Sequence, residues 1–586
     1  MSNREPIEWI EIDVDQCTLT YGSSPCAAVL GTTGSQKCHN GFKTCQDKDN
    51  YDLGSLTYTF SRPQSGLPTK VGVFPVLMSV SERSGVVNIA GTDNKLNGLG
   101  KRETINWTCS DIPYHDRYTD KYANERVSGA AQADGIGYKP IDRGTLFGKL
   151  RARWPYYAGR AARYCTGFID GGVLTGVVKR HFIITDMDVD VRGNTTTFEA
   201  KDILHLADNE KALAPITSDG ELLAAIDTVQ TELTLTPENI GGTYPASGRA
   251  VIGREMVDYT RVGDVVTITE RGVAGTEITS HSIGDTFQTV FTKTIERVDD
   301  VIYDLLVNYA NVDAAFIPVA KWEAEITRWA SSMRLTVNIP KPTGVNKLIG
   351  ELAVLGLSVW WDSELQEIGL KINRPPDEDS IFEVSDNRNI KDISISDRDD
   401  DRLTQVGFYS VISDPTENPV DGNSYSRLRQ IVDLDAQSDN EFSDVKVRQI
   451  YTRWLGDGNE SLIRILGKRL LNRFRWSPAR YTFTLADDQD IRLTDVIRVN
   501  SRIAQDVTGL NIDRLMQAIM VKRTKAKHEM VVTAQTYQFD QRYGFIAENT
   551  RLDYTSSSAS EQVRGVYFAD DVTLKMSNGD PAYQFI

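Results

Sequence analysis

The chain has 586 residues, of which 40% are hydrophobic and 25% are charged, and its formal net charge is −16 at pH 7. At roughly 150 residues per domain this length predicts about four folded domains, and the composition excludes a disordered or membrane-embedded chain. The acidic excess argues against a groove that grips duplex DNA, since such a groove needs clustered Lys and Arg to neutralise phosphates. It remains compatible with a passage through which nucleic acid slides without binding.

The sequence carries no candidate for a membrane span or a secretion signal. Its longest near-apolar run, residues 352–361, is about half the length that a bilayer-spanning helix requires. The N-terminal residues lack an apolar stretch and include several acids. We therefore expect a protein that is made and assembled in the cytosol.

Residues 1–60 form a short polar module in which four of the six cysteines cluster. Cys17, Cys26, Cys38 and Cys45 are close in sequence, whereas Cys109 and Cys165 are isolated and are expected to be free thiols. Six cysteines are too few to staple a chain of this length with disulfides. The module is rich in Gly, Ser and Thr, so a metal held by thiolates would supply folding energy that so small a core cannot.

The spacing of the four clustered cysteines does not by itself identify a metal. Eight, eleven and six residues separate them, which matches neither the CxxC pairs of zinc ribbons nor the tight runs of bacterial ferredoxins. Reduced, partly buried cysteines that act as small apolar residues are the alternative. The clustering favours a metal site, and His39, beside Cys38, is a fifth candidate ligand.

Residues 70–210 are predicted to be mostly β, and a second β-rich block covers residues 235–292. Residues 182–191 and 196–200 alternate as strands around a hairpin at 192–194, and short helices are predicted at 201–206 and 219–229. The acids at 186–190 are not followed by the Gly and Glu that a calcium-binding EF-hand requires. This favours a strand with one solvent-exposed face.

The second half of the chain alternates helical and β patterns. Apolar spacing predicts helices over 298–309 and 345–355, followed by a hairpin of 357–361 with 368–372. The acidic tract 392–401 marks a boundary, and 397–402 is interpreted as a solvated loop. Beyond it, a helix is predicted over 462–474, with strands at 480–485, 495–499 and 530–539. The basic residues at 468–475 are interpreted as one side of an amphipathic helix rather than a nucleic-acid face.

Catalytic patterns are absent from the sequence. It contains no GxSxG, HExxH or GxxxxGK[ST] motif, and none of its six histidines forms a recognisable pattern with a candidate nucleophile. His281 is interpreted as a turn or core residue rather than a base. We therefore expect no enzymatic activity.

The residues around the clustered cysteines carry a specific resemblance. They are CTLTYGSSPC at 17–26, KCHN at 37–40, TCQD at 44–47 and NY at 50–51. This string resembles the cysteine module of the tail hub proteins of long-tailed bacteriophages, prophages and gene transfer agents. The resemblance implies that Cys17, Cys26, Cys38 and Cys45 hold an iron–sulfur cluster, expected to be [4Fe–4S], with zinc as the alternative. His39 departs from the family, which usually has Phe or Trp there.

The resemblance extends over most of the chain. GTLFGK at 144–149, with Arg153 and Gly159-Arg160, looks like the first tube-domain signature of the family. The middle β-domain is matched by an ordered set of motifs: PxxG at 245–248, IGxE at 252–255, YT at 259–260, RGxxGT at 271–276 and His281. Residues 400–545 resemble the second tube domain more loosely, and the last 40 residues match nothing.

The resemblance implies a mainly β protein with α+β insertions and two tail-tube-like β-barrel domains, forming a ring-shaped multi-domain hub. The expected domains are a cysteine module at 1–60, a first tube-like domain at 61–215, a middle β domain at 216–292, an α+β insertion at 293–395, a second tube-like domain at 396–545 and a C-terminal tail at 546–586.

The implied function is that of a structural protein at the virion tail tip. A homotrimer would present six barrels to the six-fold tail tube, close the tail, and open for DNA ejection. The expected partners are the distal tail protein ring, tip, spike or fibre proteins, the C-terminus of the tape-measure protein, and phage DNA in transit without sequence-specific binding. Acidic residues are expected to line the conduit and repel DNA. The alternative is a soluble metalloenzyme with an iron–sulfur or zinc site.

Overall fold

The computed structural model describes a mainly β chain, as the sequence predicts. The described residues are 4–28, 38–67, 72–93, 96, 98–114, 144–190, 192–376, 381–434, 436–438, 444–486, 489–505, 508–524, 529–537, 544–547 and 567–570. Of the helices in these ranges, none is both long and apolar enough to cross a lipid bilayer.

The first sheet has eight strands. In chain order they are β1 (Glu5–Cys17), β2 (Leu53–Ser61), β3 (Val73–Phe74), β4 (Leu77–Arg83), β5 (Thr104–Ser110), β6 (Ala161–Asp170), β7 (Val173–Asp190) and β8 (Thr195–Lys201). They are arranged in the order β3-β2-β1-β6-β7-β8-β5-β4. The acids at 186–190 lie in β7, which confirms the strand interpretation.

This sheet closes on itself, because its two outermost strands are neighbours in sequence. A flat eight-stranded sheet would be about 34 Å wide at about 4.8 Å per strand spacing. The end of β3 at Phe74 is three residues from the start of β4 at Leu77, a reach of at most about 11 Å. Val76, in the link, accepts a hydrogen bond from Ser110 N at 2.8 Å. The link therefore brings the two edges together into a barrel-like sheet.

An aromatic core fills the first closed sheet. Trp107 and Phe198 are fully buried and stack at 4.9 Å between ring centroids, and Phe147 packs edge-on against Phe198 at 5.7 Å. Phe147 lies in helix α1 (Leu146–Arg153). Asp111 anchors the start of α1 by accepting from Phe147 N at 3.0 Å. The GTLFGK signature therefore includes the start of α1, which packs into the core of this sheet.

The middle region is an antiparallel β domain. It contains β9 (Leu213–Ala214), β10 (Glu221–Leu222), β11 (Glu232–Thr236), β12 (Ser247–Ile252), β13 (Glu255–Val262), β14 (Val265–Arg271) and β15 (Phe287–Thr289), and six of these pair in the order β10-β11-β14-β13-β12-β15. The helix predicted at 219–229 is wrong, because long-range pairing recruits this backbone. Leu222 N donates to Asp285 O at 2.9 Å and Ile226 N to His281 O at 3.0 Å. The helix predicted at 201–206 is also misplaced: Lys201 ends β8, and a 3₁₀ helix spans Ile203–Asp208.

The α+β insertion has the predicted helices and hairpin. Its elements are β16 (Phe291–Arg297), α2 (Val298–Asp304) with a π-helical turn at Leu305–Tyr309, α3 (Val319–Trp329), β17 (Arg334–Ile339), β18 (Thr343–Gly344), α4 (Val345–Ala353), β19 (Leu357–Asp362) and β20 (Glu367–Ile372). Strands β19 and β20 pair antiparallel, as predicted.

The remaining elements complete the chain. They are β21 (Ile381–Ser385), β22 (Ile390–Asp397), β23 (Gln405–Ile412), β24 (Tyr425–Val432), β25 (Val447–Tyr451), α5 (Glu460–Phe474), β26 (Ala479–Leu485), β27 (Val496–Gln505), β28 (Asn511–Thr524), β29 (Glu529–Thr536), β30 (Gly544–Ala547) and β31 (Tyr567–Asp570). The basic stretch at 468–475 belongs to α5, whose apolar side is buried, as predicted. Most of the predicted tail, 546–586, lies outside the described residues.

A second sheet closes in the same way as the first. Its order is β21-β27-β28-β29-β26-β22, so the outermost strands are again consecutive in the chain. A tight turn joins them, with Asn389 N donating to Ser385 O at 3.1 Å. The molecule therefore contains two barrel-like sheets, each closed by a short link between its edges.

Two expected boundaries fall elsewhere in the structure. Strands β1 and β2 belong to the first closed sheet, so the cysteine segment, residues 18–52, is an insertion between paired strands rather than a preceding module. Likewise β21 and β22 belong to the second closed sheet, not to the insertion. Strands β23–β25 and α5 instead share a hydrophobic core with the α+β insertion.

The interpretation of 397–402 as a solvated loop is wrong. Asp401 and Arg402 are only 4% and 3% exposed. Asp401 Oδ2 lies 3.3 Å from both Arg398 Nε and Arg480 Nη2, and Arg402 Nη2 donates to Ala436 O at 2.8 Å. A run of acidic and basic residues suggests a solvent-exposed loop. Here Asp401 instead forms ion pairs with Arg398 and with Arg480 of β26.

Candidate metal centre

The cysteine segment leaves the first closed sheet at the end of β1. Cys17 is the last residue of β1 and is paired in register with Leu53 of β2. Cys17 N donates to Asn40 O at 2.7 Å, and Thr18 N donates to Asp52 O at 3.0 Å. The sheet thereby holds the base of the segment and places one clustered cysteine at the rim of the barrel.

Polar contacts hold the described part of the segment together. Asp47 accepts a hydrogen bond from Ala27 N at 2.6 Å, and this bond is the main reason that the pKa of Asp47 is lowered. Tyr21 OH donates to Gln46 Oε1 at 2.8 Å. Among residues 18–28 and 38–52, Ala28 alone is buried. Burial of apolar surface therefore contributes little to the stability of this segment.

The four clustered cysteines interact electrostatically around Cys45. All four are reduced and half-buried. Burial raises the pKa of Cys45, and the nearby Cys38, Cys17 and Cys26 raise it further. A hydrogen bond with Asp47 acts in the opposite direction, since Asp47 N lies 3.4 Å from Cys45 Sγ. Burial, Cys17 and Cys45 also raise the pKa of Tyr51. Cys45 thus lies close enough to the other three cysteines for them to affect its ionisation.

This donor set fits a thiophilic metal. Four thiolates are the ligand set of structural zinc and of iron–sulfur clusters. Because the other three cysteines raise the pKa of Cys45, ionising Cys45 beside them costs free energy, and a bound cation would offset that cost. Within the described ranges, no three His, Cys, Asp or Glu side chains already stand in a metal-binding arrangement. The sulfurs would therefore have to converge when the metal binds.

His39 is placed at a different feature. It lines a small cavity between the cysteine segment and α1, together with Lys149 and Arg153. Its backbone N–H donates to Thr44 Oγ1 at 3.2 Å. The structure thus places the fifth candidate at the contact between the cysteine segment and α1.

Cys109 and Cys165 are free thiols, as expected. Both are fully buried within the first closed sheet, and burial is the main cause that raises the pKa of each thiol. A thiol that is fully buried in apolar surroundings is inert as a nucleophile and as a metal ligand. Both residues therefore act as small apolar residues.

A charged ladder on the wall of the barrel was not recognised in the sequence. Arg163 on β6 donates to Glu11 Oε2 at 2.9 Å and to both oxygens of Asp13 at 2.6 Å. Burial alone would raise the pKa of Glu11, but hydrogen bonds from Trp9, Arg163 and Lys179 lower it to about 2. The alternating acids of β1 were the available signal, because acids repeated on one face of a strand require basic neighbours.

The middle-domain motifs meet in a buried triad. Glu255 is fully buried; Arg271 Nη2 and His281 Nε2 each lie 2.8 Å from its Oε2. Burial alone would raise the pKa of Glu255, but hydrogen bonds from Arg271, Thr279 N and His281 lower it. His281 is therefore a core residue, as interpreted from the sequence. The IGxE, RGxxGT and His motifs are thus three parts of one structural contact.

Comparison with known proteins gives structural likenesses only. No protein-family model and no curated protein matches the chain. Among solved structures, a tail protein from Neisseria meningitidis MC58 has 9% identity and a TM-score of 0.34, covering 78% of this chain and 96% of its own. Prophage tail protein gp18 from Listeria monocytogenes EGD-e has 10% identity and a TM-score of 0.32, and the match covers 78% of this chain and 87% of gp18. The prophage MuSo2 43 kDa tail protein from Shewanella oneidensis has 9% identity and a TM-score of 0.33, and the match covers 78% of this chain and 97% of the tail protein. Function has to be argued from the residues of this chain.

Proposed function

We propose that this chain is the central hub of a phage tail tip and that Cys17, Cys26, Cys38 and Cys45 hold an iron–sulfur cluster, expected to be [4Fe–4S]. The observation that carries the proposal is the presence of four half-buried cysteines at and between the paired ends of β1 and β2, in a segment whose described residues bury a single alanine. When bound, the cluster supplies metal–thiolate bonds that cross-link the segment.

The other contacts of a structural clamp would come from the protein residues themselves. The β1–β2 ladder fixes the base of the segment, and Asp47 ties its two described parts together through Ala27 N. Cys17 belongs to the ladder itself, so a cross-link to the other three cysteines fastens the segment to the barrel wall. A clamp of this kind would present a rigid surface to a neighbouring subunit or tip protein.

The two closed sheets support the ring architecture. Three copies of a chain with two barrel-like sheets would present six of them, which matches the six-fold symmetry of a tail tube and distal tail protein ring. The described non-barrel elements would then face tip, spike or fibre proteins and the tape-measure C-terminus. A lumen lined by acidic residues would let DNA pass without binding.

Metal content tests the cluster. The full chain is purified without oxygen, and iron and acid-labile sulfide are measured per chain for wild type, Cys17→Ser and Cys45→Ser. Cys165→Ser is the matched control, because it removes a buried thiol of the same chain. We expect the control to keep its iron and the two ligand variants to lose it. Retention of iron by Cys45→Ser, or stoichiometric zinc without iron, would contradict the proposed cluster.

Assembly tests the hub. Negative-stain images and mass measurements of the purified chain should show three-fold rings, and virions assembled with Cys45→Ser should lose infectivity. A monomer that turns over a substrate would contradict the hub and favour a metalloenzyme. A fully infectious virion carrying Cys45→Ser would contradict the clamp but leave the ring architecture standing.

A further inference from the structure

A large groove lies where the first closed sheet, the α+β insertion and the β23–β25 sheet meet. Its volume is about 720 Å³, within the range of ligand-binding pockets. Its walls include Asn88 and Gly98 from the link between β4 and β5, Lys347 and Glu351 from α4, and the whole of strand β25. This groove lies outside the cysteine segment and is independent of the proposed metal centre.

Strand β25 exposes an open hydrogen-bonding edge to the groove. It is an outer strand of its sheet and pairs in parallel with β23 alone among the described strands. Lys446 O accepts from Gln405 N, and Thr452 N donates to Tyr409 O, so the even-numbered residues direct their backbone groups towards β23. Because backbone groups alternate in direction along a strand, those of Val447, Gln449 and Tyr451 point to the open edge. This edge can accept an additional strand.

The groove also contains positive charge without a counter-ion. Arg448 donates a hydrogen bond to Gly91 O, and its Nη1 is buried with no acceptor; neither Arg448 nor Lys347 forms an ion pair within the described residues. Burial is the main cause that lowers the pKa of Arg448 to about 10, which leaves it protonated at neutral pH. The two acids of the groove are already engaged. Asp93 lies 2.9 Å from Arg480 Nη2, and Glu351 binds both Arg453 and Trp454.

We propose that this groove binds an extended acidic segment of a partner protein, which adds to β25 as a further strand and places carboxylates near Arg448 and Lys347. The open edge supplies backbone hydrogen bonds, as in other cases of strand addition, and the unpaired cations supply the preference for acidic side chains. In a chain whose net charge is −16, two cations that form no ion pair within the described residues favour an acidic segment over a neutral one.

Peptide binding to the full chain tests the proposal. The probe is a fluorescein-labelled peptide of alternating Thr and Glu, about eight residues long, and its reference is the matching peptide of Thr and Gln. We expect the acidic peptide to bind about ten- to a hundredfold more tightly. Arg448→Gln and Lys347→Gln should each weaken its binding at least several-fold. Arg429→Gln, an exposed arginine on the opposite edge strand β24, should leave binding unchanged.

Two further arms separate strand addition from simple anion binding. Two acidic peptides are N-methylated at every second residue, one in each register, and their affinities should differ strongly, because only one of them loses the backbone donors that face β25. Equal binding of the methylated peptides, or displacement of the peptide by inorganic phosphate at the same concentration, would overturn strand addition. Wild-type affinity in Arg448→Gln, with an unchanged melting temperature, would overturn the role of the cations.

Discussion

The first closed sheet and the cysteine segment inserted in it are stabilised in opposite ways. The sheet buries stacked aromatic rings, including Trp107, Phe147 and Phe198, whereas the described part of the segment buries one alanine. The sheet is thus stable through apolar burial and ladder hydrogen bonds, while polar contacts hold the described part of the segment, which the proposed cluster would stabilise further. One chain therefore combines a scaffold with a large apolar core and an insertion whose described residues have almost none.

The largest expected effect on the scaffold comes from its aromatic core. Phe198→Ala removes a fully buried ring that stacks on Trp107, and we expect a loss of about 3–5 kcal/mol in the free energy of unfolding. Urea unfolding followed by tryptophan fluorescence measures it. Tyr156→Ala, at a side chain that is 82% exposed, is the control and should change stability by about 0.5 kcal/mol or less. A small loss for Phe198→Ala would contradict the description of this core.

The charged ladder should have the next largest effect. Glu11→Gln removes a carboxylate held by Trp9, Arg163 and Lys179, and we expect a loss of about 1–3 kcal/mol at pH 7. The folded pKa of Glu11 is lowered to about 2, so its contribution is present above its unfolded pKa of about 4.5 and is lost as the pH falls towards 2. Urea unfolding from pH 7 to pH 2 should show a shallower decline in Glu11→Gln than in wild type.

The matched control for the ladder is Glu5→Gln, because Glu5 is an exposed carboxylate on the same strand. It should reproduce the wild-type pH dependence. If Glu5→Gln and Glu11→Gln decline identically, the ladder does not contribute the acid-sensitive part of the stability.

A smaller effect is expected at His181, where β7 meets the hairpin of the insertion. Burial is the main cause that lowers the pKa of His181 to about 4, with Arg163 and Lys179 contributing. The unfolded chain binds this proton more readily, so stability falls as the pH drops from about 6.5 to 4. His181→Gln should change stability at pH 7 by about 1 kcal/mol or less and remove this decline. An unchanged decline in His181→Gln, measured by thermal unfolding across this range, would contradict the shift.

The smallest effect on the scaffold should follow removal of the metal. A chelator should increase protease cleavage between residues 18 and 52, while the unfolding free energy of the sheet changes by about 0.5 kcal/mol or less, because its core lies elsewhere. Limited proteolysis with mass spectrometry, alongside urea unfolding, gives both readings. A large fall in the stability of the sheet would show that the two regions are coupled and would remove the contrast between them.

The sequence predicts local periodic elements well and long-range pairings poorly. Apolar spacing correctly indicated α4 and α5 and the β19–β20 hairpin, because the residues that define each lie within one or two turns or strands. The same spacing misled at 219–229, where Leu222 and Ile226 are buried through backbone bonds to Asp285 and His281. Such bonds join residues that no local window contains.

The candidate sites differ in the same way, because some are visible in the local sequence and others depend on the fold. The four clustered cysteines are recognisable because chemistry and proximity in sequence coincide. The groove at β25 was not recognisable, because Lys347 and Arg448 come from separate elements and neither belongs to a motif. The middle-domain triad is intermediate: its residues stand in visible motifs, but their meeting at Glu255 depends on the fold.

The position of the cysteine segment also has an evolutionary consequence. Strands β1 and β2 stay in register from Trp9 with Ser61 to Cys17 with Leu53, so the insertion begins and ends at one cross-strand pair. A short hairpin turn could replace residues 18–52 without shifting any other pair of the ladder. The barrel can therefore acquire, lose or exchange this insertion as a module while the scaffold stays unchanged.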